Sequence, residues 1–291
     1  MKRLFLLCCC LAAAVPFSAR GESLERALRA VTDSVRATVG VAVVFGDTLA
    51  VNGGRCYPML SVCKFHQALA VLDRLDRRGL PLTTRIPVRR SDLLSGTWSP
   101  LREACPGGGR FTVAELLTYS VAQSDNNVCD VLFRFLGGSE AVDRYIAGLG
   151  IGETVIVADE EMMHRHTDNQ YLNRTTPLAA VRLLELFRRG ELLSAAYGDF
   201  LLETMFATET GPDKLRGLLP ADVAVAHKTG SSDRDGRGVK IADNDIGIVR
   251  LPDGRSYSIA VFAMDSREDD RTNAAVIARI SRLVYDYAAR R

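Results

Sequence analysis

The chain has 291 residues, of which 47% are hydrophobic, and its 37 basic residues nearly balance 35 acidic ones. This length allows one large core or two smaller ones. The even charge balance argues against a nucleic-acid-binding protein, and no segment beyond the N-terminus is apolar over the roughly 20 residues that a membrane span requires.

The first predicted element is a secretory signal peptide. The N-terminus reads MKRLFLLCCCLAAAVPFSARGES, with two basic residues, an apolar run and then small residues, which is the composition of such a signal. We predict that residues 1–21 are the signal, with cleavage between Ala19 and Glu22, and that the mature protein is periplasmic. Attachment as a lipoprotein through one of the cysteines at 8–10 is the alternative.

Removal of the signal changes the composition of the mature chain. It takes away three basic residues and no acidic one, which leaves a net charge of about −1. Four cysteines remain, and in an oxidising compartment they allow up to two disulfides whose pairing the sequence leaves open. They are Cys56, Cys63, Cys105 and Cys129.

Helical patterns dominate the chain up to about residue 209. Apolar spacing predicts a helix from Ser23 to Ala37, and two strands joined at Gly46-Asp47 follow it. A strong helix is predicted over residues 61–78, followed by a loop-rich stretch. Shorter helices then surround a polar loop at residues 158–177.

After residue 220 the apolar period changes from that of a helix to that of a strand. Three strands are predicted, the last two joined by a Pro252-Asp253-Gly254 turn, and a helix closes the chain. We therefore predict an α+β fold, in which residues 22–55 and 210–291 form an α/β domain with an antiparallel sheet. An all-α domain, residues 56–209, is inserted into it, and the active site lies between the two.

The string SVCK at residues 61–64 contains the first candidate for catalysis. At the start of a helix Ser61 and Lys64 share a face, whereas Cys63 points elsewhere, into packing. Lys64 can accept the Ser61 proton if burial or a nearby charge depresses its pKa. Alone, the motif is weak, because S-x-x-K often occurs by chance and is more typical of an ordinary solvated helix start.

Two further motifs are also weak when each is taken alone. In QSDNN, residues 123–127, Ser124 and Asn126 offer a hydroxyl and an amide, and Asp125 is typical of a helix cap. In HKTGS, residues 227–231, Lys228 at a strand end can bind an anionic group. The order of all three motifs carries more information than any one of them.

Ser-x-x-Lys, Ser-Asp-Asn and Lys-Thr-Gly, in this order, form the motif set of penicillin-recognising serine enzymes. Over nearly its whole mature length the chain resembles the class A serine β-lactamases. The strings TWSP, QSDNN, HKTG and NDIGIVRLPDGRSYSIAVF resemble most the branch that contains extended-spectrum and cephalosporin-hydrolysing enzymes.

The resemblance implies a catalytic group and a binding group of residues. Ser61 is the acylated nucleophile, Lys64 activates it, and Ser124 relays a proton to the departing ring nitrogen. The backbone N–H groups of Ser61 and Ser231 form the oxyanion hole. In the binding group, Asn126 holds the substrate side-chain amide, and Lys228 and Thr229 hold the carboxylate. Trp98 lies at the mouth of the site or, alternatively, is a buried core aromatic residue.

Hydrolysis of the acyl-enzyme requires a further carboxylate, and here the chain departs from the family pattern. Family members carry a Glu with an Asn four residues later, yet no Asn in residues 158–177 has such a Glu. Counting back from Asn173, which matches the residue that closes the loop, predicts Glu160 as the base and His164 at the Asn position, orienting the water. Glu161 remains a rival.

A second departure concerns the substrate carboxylate. Where many relatives have an arginine, this chain has Lys214 at one position and Asn244 at the other. Lysine keeps the charge but lacks the bidentate fork of arginine. Lys214 therefore either anchors the substrate less tightly or is simply solvated.

No metal or cofactor is predicted for the reaction. The His164-x-His166-x-Asp168 string resembles a zinc motif, but the chain has only two other histidines, which is too few for a di-zinc site. We expect a monomer that acts on small-molecule β-lactams, with no nucleic-acid partner. The alternatives are a periplasmic DD-peptidase and a β-lactam sensor that does not hydrolyse its ligand.

Overall fold

The computed structural model describes residues 19–291, so that nearly all of the predicted signal peptide lies outside the described residues. Within this range no helix is both long enough and apolar enough to cross a membrane. The helices are α1 Ala19–Thr32, α2 Cys63–Arg78, α3 Pro100–Ala104, α4 Val113–Leu117, α5 Asn126–Leu136, α6 Ser139–Gly148, α7 Glu160–Arg165, α8 Pro177–Arg188, α9 Ala195–Phe206 and α10 Asp270–Ala288. The strands are β1 Thr38–Phe45, β2 Asp47–Val51, β3 Tyr57–Pro58, β4 Arg85–Arg89, β5 Gly108–Thr112, β6 Arg174–Thr175, β7 Ala224–Ser231, β8 Lys240–Arg250 and β9 Ser256–Ser266.

A five-stranded antiparallel sheet joins the two ends of the described chain. Its strand order is β2-β1-β9-β8-β7, so β1 of the early hairpin pairs with β9, the last strand of the chain. Two-residue strands β3 and β6 pair separately, as do β4 and β5. The predicted α+β class, with an antiparallel sheet interrupted in sequence by a helical region, is confirmed.

Each face of the sheet packs against a different set of helices. Alternate residues of β1, including Val41 and Val43, pack with apolar residues of α1 and α10 such as Leu28 and Ile277. On the other face, Ala42 joins the large core built around α2. Because α2 is buried along most of its length, it forms the centre of the helical region and holds its N-terminus against the sheet.

Local sequence explains where the helices near the site begin. The Asp125 carboxylate accepts a hydrogen bond from the Val128 N–H and caps α5, as the sequence indicates. The Thr176 hydroxyl caps α8 in the same way, and Pro177 occupies its first turn. At the other end of α2, Gly79 adopts a left-handed conformation and stops the helix.

The structure corrects two boundaries expected from the sequence. Helix α1 ends at Thr32 rather than Ala37, because the Thr32 and Ser34 hydroxyls bond to carbonyl groups of the last turn. The loop-rich stretch after α2 contains the hairpin β4–β5. Strand β5 begins with two glycines and alternates too weakly in polarity to be predicted as a strand.

Candidate active site

Lys64 lies at the centre of a buried polar cluster at the start of α2. Its Nζ is 2.7 Å from the Ser61 Oγ and 2.6 Å from the Asn126 Oδ1. A carboxylate oxygen of Glu160 lies 2.6 Å from the same nitrogen, and the Lys64 side chain is fully buried. The structure therefore brings together the first two motifs and one of the two candidate glutamates.

The turn that carries Ser61 is held close to the sheet. Residues 60–62 form a 3-10 turn that Leu60 enters with a positive φ of 47°. Strand β7 packs directly against this turn, and a Cβ atom at Gly230 would lie 2.4 Å from the Met59 carbonyl oxygen. Glycine in Lys-Thr-Gly is thus required for the close approach between strand and turn.

The pKa of Lys64 does not meet the condition set by the sequence. Burial is the largest single influence on this pKa and lowers it, but the attraction and hydrogen bond of the Glu160 carboxylate, with smaller contributions from Cys129 and Cys63, together raise it to about 12. Lys64 is therefore a charged ammonium group in the resting enzyme and cannot itself accept the Ser61 proton.

Lys228 has the opposite electrostatic balance. Burial, and then repulsion from Lys64, lower its pKa to about 7. Its Nζ donates to the Ser124 Oγ at 3.0 Å, and Ser124 itself has a positive φ of 60°. The Thr229 hydroxyl bonds to the Thr210 hydroxyl at 2.6 Å. The second and third motifs thus meet at one end of the cleft.

Two side chains outside the motifs position the loop that carries Glu160. The Asp130 carboxylate on α5 accepts hydrogen bonds from the backbone N–H groups of Glu160 and Glu161, at 2.7 and 3.0 Å. The buried Asn173 side chain bonds to the backbone of residues 157 and 158 and closes the loop. In the position that these contacts give the loop, Glu160 is 6% exposed, whereas the Glu161 carboxylate is half exposed and pairs with Arg165.

His164 lies one turn of α7 after Glu160, at the edge of the cleft. Its Nδ1 donates to the Glu160 backbone carbonyl at 2.7 Å, so that Nε2, 3.2 Å from the Thr97 hydroxyl, is left as an acceptor. Thr97 also accepts a hydrogen bond from the Asn126 amide. His164 and Asn126 are therefore linked through Thr97.

An open cleft of about 530 Å³ gives access to this cluster, and its lining includes Ser61, Asn126, Glu160 and Ser231. Trp98 stands at the rim and is 56% exposed, with its indole N–H bonded to the Gln123 carbonyl. The alternative of a core tryptophan is therefore wrong.

Lys214 is not solvated, and that alternative is also wrong. It is 7% exposed, and its Nζ lies 2.5 Å from the Asp243 carboxylate. Asn244, at the other arginine position, is buried and donates to the carbonyl groups of Pro58 and Met59. Its side chain therefore holds the segment before Ser61 in place.

Sequence reasoning missed four side chains of this region. Thr210 and Asp243 belong to no motif, Thr97 stands in the string TWSP without a predicted role, and Asp130 resembles any polar residue on an amphipathic helix. Their contacts link segments far apart in the chain, which the sequence pattern does not reveal. Only Asp130 could have been singled out, because the apolar pattern of α5 leaves it on the polar side of the helix.

Comparisons with known proteins agree with this geometry. A family model described as the β-lactamase enzyme family matches residues 23–288. A β-lactamase of Bacteroides uniformis is 47% identical over 267 residues, covering 90% of each chain. The extended-spectrum β-lactamase PER-1 of Pseudomonas aeruginosa is 41% identical over 274 residues, covering 93% of this chain and 89% of that one. A class A β-lactamase structure from Bacteroides cellulosilyticus matches with a TM-score of 0.89 and 45% identity, covering 92% of this chain and 98% of that one.

Proposed function

Because this chain belongs to the class A serine β-lactamases, enzymes that hydrolyse the β-lactam amide and confer antibiotic resistance, we propose the residues that perform the reaction here. Ser61 attacks the ring carbonyl and forms the acyl-enzyme. The backbone N–H groups of Ser61 and Ser231 stabilise the oxyanion. Family membership argues against the DD-peptidase and the sensor.

The base for acylation is the Lys64–Glu160 pair rather than Lys64 alone. Lys64 lies between the Ser61 hydroxyl and the Glu160 carboxylate. Since Lys64 is protonated at rest, it takes the Ser61 proton only as it passes one of its own to Glu160. Ser124, bonded to Lys228, then delivers its hydroxyl proton to the leaving ring nitrogen. The proton that Glu160 took up returns through Lys64 to Ser124, which restores the Glu160 carboxylate for the second half of the reaction.

Glu160 also carries the second half of the reaction. It accepts a proton from the water that attacks the ester, and His164 orients that water through the network with Thr97. The observation that carries this proposal is the 2.6 Å contact between the Glu160 carboxylate and Lys64.

Substrate recognition uses the other end of the cleft. Lys228 and Thr229 hold the carboxylate beside the ring, Asn126 holds the side-chain amide, and Trp98 lines the entrance. Lys214 contributes less than a free cation would, because Asp243 neutralises it. The substrates that we propose are penicillins and cephalosporins, and a relative at 41% identity that is named an extended-spectrum β-lactamase supports a broad range.

Nitrocefin turnover with mass spectrometry tests the assignment. A β-lactamase gives many rapid turnovers, a DD-peptidase gives a slow burst, and a sensor gives one stable acylation. The adduct formed with a slowly hydrolysed β-lactam is expected on the peptide that contains Ser61.

The low pKa of Lys228 predicts a pH dependence of substrate capture. Above pH 7 the free enzyme loses the Lys228 proton, and only the charged form attracts the substrate carboxylate. We therefore expect kcat/KM to fall about tenfold per pH unit above this pKa, whereas kcat at saturation falls less because the bound carboxylate keeps Lys228 protonated. Lys228→Arg, whose side chain stays charged, should remove the decline; a flat wild-type profile from pH 6 to 9 would contradict the prediction.

Chelation should not reduce activity, because every proposed step uses protein side chains and water. We expect EDTA to leave nitrocefin hydrolysis at or above its starting rate. Loss of most activity on chelation, with recovery on adding zinc, would contradict the serine mechanism.

We also propose that residues 1–21 direct export and are removed, and that the mature enzyme is a periplasmic monomer. The charge and apolar pattern of the N-terminus supports export. The mass of the protein recovered from the periplasm, together with its sedimentation, would test both points.

A further inference from the structure

Behind the catalytic pair, two thiols and a carboxylate converge from three elements. Cys63 begins α2, Cys129 lies on α5 and Glu160 begins α7. One ligand atom of each, the two Sγ atoms and a carboxylate oxygen, lie within 4.8 Å of one another, and all three residues are buried. Among the described residues no other group of three such side chains comes this close together.

We propose that Cys63, Cys129 and Glu160 form an inhibitory binding site for a thiophilic divalent cation such as Zn²⁺ or Cd²⁺. Thiolate sulfur bonds Zn²⁺ at about 2.3 Å and carboxylate oxygen at about 2.0–2.2 Å. Tetrahedral ligands at these lengths stand about 3.5–3.8 Å apart, so atoms that lie within 4.8 Å of one another need to approach by at most about 1.3 Å. The mixture of soft sulfur with one oxygen favours zinc and cadmium over magnesium or calcium.

Charge balance favours the loaded site. Binding releases the two thiol protons to solvent, because metal ligation requires thiolates. The two thiolates, the Glu160 carboxylate, the divalent cation and the Lys64 ammonium then sum to zero charge. Lys64, whose Nζ is 2.6 Å from the Glu160 carboxylate, thus compensates the third anionic ligand in a buried place where a net charge would be costly.

A fourth donor lies on the same face of α2. Gln67 follows Cys63 by one helical turn, and its amide nitrogen donates to the Cys129 carbonyl. Its side-chain oxygen is buried and has no hydrogen-bond partner. A neutral oxygen donor is therefore present where α2 and α5, the two helices that carry the thiols, are in contact.

Occupancy of this site would stop the enzyme. A Glu160 carboxylate bonded to a metal ion can no longer accept a proton from water, so this part of the inference depends on the role proposed for Glu160. Glu160 and the neighbouring Met163 line the cleft, which provides a route for the ion. Because Cys63 and Cys129 are fully buried, we expect inhibition to develop slowly.

Titration of the reduced full-length mature enzyme with CdCl₂ tests the proposal. We expect one equivalent to produce the ultraviolet sulfur-to-cadmium charge-transfer band and to lower nitrocefin turnover at least tenfold, since general-base catalysis contributes about 10²–10⁴. EDTA should reverse both effects, and MgCl₂ should cause neither. The band reports binding independently of hydrolysis, so a band without inhibition would contradict the role of Glu160 and leave the site itself supported.

Single substitutions separate this site from other thiols. Cys63→Ser and Cys129→Ser, or the alanine variants if a serine variant folds poorly, should keep basal turnover but lose the band and the inhibition. Cys56→Ser and Cys105→Ser, which change cysteines outside the cluster, should retain both. A saturable band that persists in Cys63→Ser and Cys129→Ser, or no band in the reduced wild-type enzyme, would overturn the proposal.

Discussion

Replacing Ser61 by alanine is expected to lower kcat for β-lactam hydrolysis by a factor on the order of 10⁶, the loss seen when a serine hydrolase loses its nucleophile. The substitution removes the hydroxyl that lies 2.7 Å from Lys64 Nζ. It changes little packing, because Ser61 lies at the cleft surface. Steady-state nitrocefin hydrolysis measures the loss, and intact-mass spectra should show no covalent adduct.

Cys63→Ala provides the matched control for this experiment. Cys63 lies two residues after Ser61 but is fully buried within the core around α2. Its loss should affect stability more than turnover and should leave the adduct on Ser61. Should Cys63→Ala abolish turnover while Ser61→Cys retains most of it, the assignment of the nucleophile would be wrong.

The spacing of Ser61 and Lys64 shows what the sequence could establish. Residues three apart at a helix start share a face whatever the rest of the fold does, and the predicted contact is confirmed. The fold class could be predicted for a similar reason. The spacing of apolar residues changes after residue 220 from that of a helix to that of a strand, and this spacing is set by the backbone geometry of each element. Counting back from Asn173 predicted Glu160 rather than Glu161 as the base, and the structure places Glu160 beside Lys64. The count is physically meaningful because the Asn173 side chain closes the loop by bonding to the backbone of residues 157 and 158, while the role of Glu160 as the base stays a prediction.

Electrostatics could not be predicted in this manner. Whether Lys64 is a base or an ammonium group depends on how far Glu160 offsets burial, and the sequence contains no measure of either quantity. The same holds for Lys214, whose partner Asp243 comes from a strand whose pairing is set by the whole sheet. Asp130 was missed because its function is to hold the backbone of α7, which depends on how two helices pack.

Replacing Glu160 by glutamine should uncouple the two halves of the reaction. The acyl-enzyme ester needs a water that is deprotonated by a nearby carboxylate, and general-base catalysis is typically worth about 10² to 10⁴ in rate. Glutamine keeps the size of the side chain but cannot accept the proton. We therefore expect a burst of one equivalent of product followed by very slow turnover, with the acyl-enzyme visible by mass spectrometry.

Acylation should survive in this variant for an electrostatic reason. The Glu160 carboxylate is the largest influence that raises the pKa of Lys64, and burial acts in the opposite direction. Once the carboxylate is gone, burial dominates, the pKa of Lys64 falls, and its neutral amine can take the Ser61 proton directly. The burst rate should consequently rise with pH until Lys64 is deprotonated.

Glu161→Gln provides the control, since Glu161 is the adjacent glutamate and its carboxylate contacts Arg165 at the surface. It should turn over nearly as the wild type does. His164→Ala should slow deacylation more mildly, because it loosens the water without removing the base. If Glu160→Gln turned over normally while Glu161→Gln accumulated the acyl-enzyme, the base would be Glu161. Helix α7 would then have to shift by one residue from the register that Asp130 and Asn173 hold in this structure.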